Sequence, residues 1–223
     1  MPQNYNAVSS VAPSILATNK VIKNTYILLS MTVLFSAFTA FLSMYFQLVM
    51  PLWAVIIGYV GLLFLTSATA NSAFGLVSVF LFTGFMGLTL GPILNFYIHG
   101  FSNGPELVSA SLASTGAIFF ALSGYAMTTR KDFSYMGGFL FVGLMVAIVA
   151  SIAGLFFNVP ALQLAVSAAI VLLMGGYILF QTSMIIHGGE RNYIMATINL
   201  YVSLFNLFVN LLNIFGALAG RRD

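Results

Sequence analysis

Residues 194–219 read IMATINLYVSLFNLFVNLLNIFGALA, with no charged residue. As a helix this stretch is long enough to cross a bilayer, which takes about 20 residues. Asn199, Ser203, Asn206, Asn210 and Asn213 recur through it at steps of four, three, four and three. At about 100° per residue these five side chains share an arc of roughly 80°. Other faces carry Leu200, Leu204, Phe205, Phe208, Leu211 and Leu212. An amide left facing hydrocarbon costs about 2–7 kcal/mol. The stripe therefore has two readings: it hydrogen-bonds to neighbouring helices, or it lines a wet cavity that could pass a solute or ion. Under the first, Asn206 at the centre is paired across helices, and Asn206→Leu costs roughly 1–3 kcal/mol. Phe208, on another face, would cost less to shorten if that face meets lipid.

The rest of the chain supports a membrane setting. It is 61% hydrophobic and 5% charged, with a mean hydropathy of +1.05; soluble domains run near 45–50% apolar and about 25% charged. No hydrophilic segment is long enough to build a soluble domain. Cysteine is absent, which removes disulfides, thiolate metal sites and a cysteine nucleophile. The net charge of +3 says nothing of nucleic acid, because the basic residues sit at span ends, where topology explains them.

Six further apolar spans are expected, at about 24–46, 51–70, 73–98, 105–127, 133–157 and 160–183, so the fold class is all-α, a polytopic protein of seven transmembrane helices. Residues 1–19 are uncharged and rich in Asn, Ser, Gln and Pro, and read as a flexible cytoplasmic tail. Residues 20–223 form the transmembrane domain. The first span is too long for a cleaved signal peptide and reads as an anchor. Lys20, Lys23, Arg130, Lys131 and Arg191 fall on one side, and only Arg221 and Arg222 on the other. The positive-inside rule then puts the N-terminus in the cytoplasm and the C-terminus in the periplasm. Pro51, Pro105 and Pro160 open even-numbered helices, where a missing N–H is harmless. Gly91-Pro92 lies inside the third span and should kink it or free backbone carbonyls. Thr66-Ser67, Thr128-Thr129 and Thr182-Ser183 close the even-numbered helices in a faint repeat. Such hydroxyls commonly satisfy helix-end carbonyls.

Little catalytic chemistry is available. Glu106, Asp132, Glu190 and Asp223 all lie at span ends or in loops, so neither an aspartyl protease nor proton coupling through buried acids is supported. His99 and His187 fall on opposite sides and cannot share a metal. Ser123-Gly124 could suggest an intramembrane serine nucleophile, but no histidine projects beside it. No metal, cofactor or catalytic residue is expected.

Several motifs together resemble the Bax inhibitor-1 (transmembrane BAX inhibitor motif) family, and within it the bacterial members that modulate a membrane protease. They are Gly61-Leu-Leu-Phe-Leu-Thr66 with Thr69-Ala-Asn71, Phe82-Thr-Gly-Phe85, Leu90-Gly-Pro-Ile-Leu-Asn95, Thr128-Thr-Arg-Lys-Asp132, Ile185-Ile-His-Gly-Gly-Glu190 and Leu200-Tyr-Val-Ser-Leu-Phe-Asn206. The resemblance runs from about Lys20 to the C-terminus. It implies a seven-helix fold with the last helix central and wrapped by the others. It also implies an inner-membrane protein that binds the ATP-dependent protease FtsH and restrains its proteolysis of membrane proteins. Other members are calcium-leak channels gated by two aspartates, on helices six and seven. The matching positions here are Gln181 and Ser203, neither of which titrates near neutral pH. The resemblance therefore supports the fold and the protease partner, and weakens the calcium channel.

Overall fold

The computed structural model describes residues 15–157 and 159–220. It has seven helices long and apolar enough to cross a membrane: α1 (Ile15–Tyr45), α2 (Leu52–Thr69), α3 (Phe74–Gly100), α4 (Gly104–Thr129), α5 (Gly137–Phe157), α6 (Pro160–Ile186) and α7 (Tyr193–Ala219). A short 3₁₀ turn, Ser134–Met136, precedes α5. Short connections force neighbouring helices to run antiparallel. One end of the bundle therefore gathers Lys20, Lys23, Arg130, Lys131 and Arg191; we call it the basic end. The first helix starts earlier than the apolar pattern suggests. Residues 15–19, read as tail, belong to α1, because nothing in Ile15-Leu-Ala-Thr-Asn19 breaks a helix and Pro13 lies just before it. Residues 1–14 and 221–223 lie outside the described residues.

The last helix is central. It packs on α6, α4, α1 and α3, whereas α2 leans on α3 and α5 on α6. Ile198, Leu200, Leu207 and Leu212 of α7 are fully buried. Phe208 is buried too, packed with Tyr97, Phe101, Leu107 and Leu212. The expectation that its face could meet lipid is narrowed to one edge: residues of α3 and α4 cover the rest, and that edge lines a groove between α1 and α4.

The closest helix pair is α1 with α3, and glycine permits the approach. A methyl at Gly87 would overlap Thr39 and the Ser36 carbonyl, and one at Gly91 would overlap Ser43. Helix α3 continues unbroken through Pro92. The carbonyl that Pro92 cannot serve, four residues back, is that of Leu88. Ser43 of α1 donates to it at 2.7 Å, and Asn95 Nδ2 donates to the Met44 carbonyl at 3.3 Å. The carbonyl that Pro92 frees is thus satisfied by a neighbouring helix.

Candidate functional site

The α7 stripe divides into two halves. Ser203, toward the basic end, donates to Gln181 Oε1 of α6 at 3.3 Å and to its own helix at Asn199 O, 3.1 Å. Beyond it the amides turn to their own backbone. Asn206 Nδ2 donates to Val202 O at 2.9 Å, and Asn210 Nδ2 to Asn206 O at 2.8 Å. Asn213 Oδ1 accepts from the Tyr97 hydroxyl of α3 at 2.7 Å. Two of the five stripe residues thus bond across helices, and the centre does not.

Asn210 and Asn213 border open space. A cavity of about 480 Å³ opens at the end away from the basic residues. Tyr97, Ser151, Gln163, Ser167, Asn210 and Asn213 line it, with no charged side chain on its wall. Polar groups with room for water need no protein partner for every lone pair. Toward the basic end the cavity stops, and Gln181 with Ser203 closes the line of polar groups.

A second polar stripe escaped the sequence reading. Thr25, Thr32, Ser36, Thr39 and Ser43 of α1 are all buried. Their last four members keep the same steps of four, three and four. That rhythm was legible, but in a helix of mixed small residues it stands out less than four asparagines do. Ser36 Oγ and the Tyr201 hydroxyl of α7 lie 2.6 Å apart, and the Tyr201 hydroxyl reaches Thr83 O of α3 at 3.3 Å. Tyr201 therefore ties α1, α3 and α7 at one point. Thr25 Oγ1 is a buried hydroxyl with no hydrogen-bond partner.

Loops at the basic end are bolted together by side chains from separate motifs. Asn192 caps α7, accepting from the Ile194 and Met195 amides at 2.9 and 3.2 Å. Its Nδ2 donates to Ala70 O at 3.0 Å and Asn71 Oδ1 at 2.8 Å. Ser183 Oγ accepts from the Phe133 amide at 2.9 Å and donates to Lys131 O at 3.3 Å. His187 places Nδ1 2.9 Å from Ser183 O and Nε2 3.1 Å from Arg130 O. Asp132 accepts from the Ser134 amide at 2.8 Å; this bond to the charged form holds its carboxyl below the usual value. The Thr/Ser repeat splits accordingly. Ser67, Thr128 and Thr129 bond back into the last turns of their own helices, and Thr66 does so while also reaching Ser78 O of α3 at 3.2 Å. Thr182 and Ser183 instead reach other elements: Thr182 Oγ1 lies 3.3 Å from the Tyr26 hydroxyl and 3.5 Å from Ser123 Oγ. Ser123 thus meets a threonine rather than a base. Among the described residues no group of His, Asp and Glu is placed to hold a metal ion.

These features define a class: a helical membrane protein whose last span is a polar axle held by the others. Residues 18–220 match the family described as inhibitor of apoptosis-promoting Bax1. The chain is 50% identical over 193 residues to the modulator of FtsH protease YccA of Escherichia coli K12, covering 86% of this chain and 87% of that protein. It is 51% identical over 204 residues to an uncharacterized protein of Pseudomonas aeruginosa, covering 91% of each. It is 46% identical over 192 residues to an uncharacterized membrane protein of Vibrio cholerae, covering 85% of each. The chain belongs to the Bax inhibitor family.

Proposed function

We propose that this chain is a non-enzymatic inner-membrane regulator that binds the membrane-anchored protease FtsH and modulates its proteolysis of membrane proteins. The carrying observation is the 50% identity to a named FtsH modulator over 87% of that protein's length. Motif residues from separate helices also meet here, as Thr83 of α3 meets Tyr201 of α7. We place the basic end in the cytoplasm and the C-terminus in the periplasm, on the charge bias. The lipid bilayer is the other partner; nucleic acid is not.

The test is co-purification of FtsH with the full chain, followed by degradation of a membrane substrate in reconstituted vesicles. The expected result is specific association and slowed degradation. Deleting residues 1–14 removes no span, and is expected to leave the bundle folded while changing the restraint, if that segment is the handle for the protease. No association with FtsH, and no effect on degradation, would overturn the reading.

A second reading, an ion (calcium) leak, draws on the cavity at Asn210 and Asn213. Gln181, Asn199, Ser203, Asn206, Asn210 and Asn213 would form its path. Neither Gln181 nor Ser203 changes charge between pH 5 and 8, so acid-triggered opening at this pair is not expected. A steep acid-dependent calcium flux into dye-loaded vesicles, abolished by Gln181→Ala, would favour the leak.

A further inference from the structure

The side of α7 opposite the cavity is not fully covered. Helices α1 and α4 both pack on α7, yet hardly on each other. Between them lies a groove of about 500 Å³. Its floor includes Tyr201 and Phe205, and its lips include Ala37, Phe41, Gly116 and Phe120. It runs along α1 from Tyr26 to Met44, roughly 27 Å at 1.5 Å per residue. That nearly equals the ~30 Å hydrocarbon thickness. Almost every atom lining it is apolar. The Tyr201 and Ser36 hydroxyls in the floor already face each other at 2.6 Å, so the occupant need offer no polar group there.

The dimensions and charges select among occupants. An α-helix with side chains is about 10–12 Å across, so ~27 Å of it would fill roughly 2,000–3,000 Å³. The whole empty space of the groove, about 1440 Å³, is less than that, and a hydrocarbon chain is the thinner body available in a bilayer. Both walls end in a cation at the basic end. Lys23 lies seven residues before Ser30 of the groove, within about 20° of it around α1. Arg130 is the left-handed C-cap of α4, ten residues, about 15 Å, beyond Phe120 of the opposite wall. No Lys or Arg occurs between them in the chain, from residue 24 to 129, so α1, α3 and α4 bring no Lys or Arg to the far end of the groove.

We propose that the groove between α1 and α4 binds an anionic phospholipid, with one acyl chain lying over Tyr201 and Phe205 and the phosphate between Lys23 and Arg130. The site is independent of the protease reading. The lipid would complete the cover of α7, and the lipid charge of the surrounding leaflet would then bear on the stability of the bundle.

The experiment uses the full chain, purified in mild detergent and incubated with dioleoyl phosphatidylglycerol or dioleoyl phosphatidylcholine. Native mass spectrometry then counts retained lipids. Wild type is expected to keep one phosphatidylglycerol in preference to phosphatidylcholine. Lys23→Gln with Arg130→Gln, two surface changes, should lower that preference roughly thirtyfold, the combined effect of two basic residues at a membrane surface. Gly116→Leu should abolish retention of either lipid; a Cβ at Gly116 meets no atom within 4 Å, so the new side chain enters the groove without striking the backbone. Equal retention of the two lipids by wild type, or undiminished retention by Gly116→Leu, would overturn the proposal. So would a wild-type mass of two chains that Gly116→Leu reduces to one, because the groove would then hold a second copy.

Discussion

The α1–α3 seam and the α7 stripe solve the same problem in opposite ways. Both carry polar side chains at helical steps of four and three inside a membrane. In the seam the side chains are short. Ser36, Thr39 and Ser43 press against Gly87 and Gly91, and the backbones come so close that a hydroxyl reaches a carbonyl on the other helix. In the stripe the side chains are long. Asn206 and Asn210 curl back to their own helix, and space remains beside Asn210. Small polar residues let helices approach, whereas amides hold them apart unless each finds a partner. The seam is thus the rigid wall of the bundle, and the stripe its adaptable one.

The sharpest way to break this contrast is Gly87→Leu. The side chain would meet the Ser36 backbone, which cannot swing aside. Overpacking of this kind costs about 3 kcal/mol or more where the backbone must move. Thermal unfolding in detergent should show it; a variant as stable as wild type would mean that the seam is loose.

Next comes Tyr201→Phe, which keeps the ring and removes the hydroxyl joining Ser36 to Thr83 O. Cross-helix hydrogen bonds in membranes average about 0.6 and reach about 1.7 kcal/mol. With Ser36 left short of a partner, a loss of about 1 kcal/mol is expected. The same unfolding assay should place Tyr201→Phe between Gly87→Leu and the stripe variants, and no measurable loss would remove the three-helix tie.

Asn206→Leu should do less than either. The sequence reading, with Asn206 paired across helices, put its cost at roughly 1–3 kcal/mol. The structure lowers it, because the amide donates only to Val202 O of its own helix and its removal strands no group elsewhere. A change below about 0.5 kcal/mol is expected, in the range of substitutions that touch no special feature. A cost comparable to that of Gly87→Leu would return the stripe centre to a cross-helix role.

The smallest effect lies outside the membrane. Asp132 has its carboxyl pKa lowered, first by the Ser134 amide and then by the Ser134 side chain. A lowered native pKa gives stability that is present above the unfolded value, about 3.9, and is lost as pH falls through the native one. The advantage of wild type over Asp132→Asn in melting temperature should therefore hold at pH 6, begin to fall near pH 4 and vanish only below the lowered native value. The group is exposed, so solvent screens it and the difference is small. An advantage that does not shrink at all as pH falls from 6 through 4 and below would mean the carboxylate charge is not its source.

Much of this was legible in the chain itself. Seven apolar runs of bilayer length, basic residues gathered at alternate junctions and a polar stripe in the last run determine a seven-helix bundle whose last helix needs cover. These are local properties: length, hydropathy and angular spacing. Tertiary structure alone decided where each polar group finds a partner. The 4-3-4 spacing of Asn206 and of Ser36 is the same in sequence. One bonds to its own backbone, and the other reaches a tyrosine 165 residues away. The carbonyl freed by Pro92 was foreseeable; its rescue by Ser43 was not. Phe208 could not be told from a lipid-facing phenylalanine until α3 and α4 were seen to cover all but one edge of it. Hydrocarbon lipid and an apolar protein core select the same side chains, so within a membrane the pattern of hydrophobicity reveals the helix but not its neighbours.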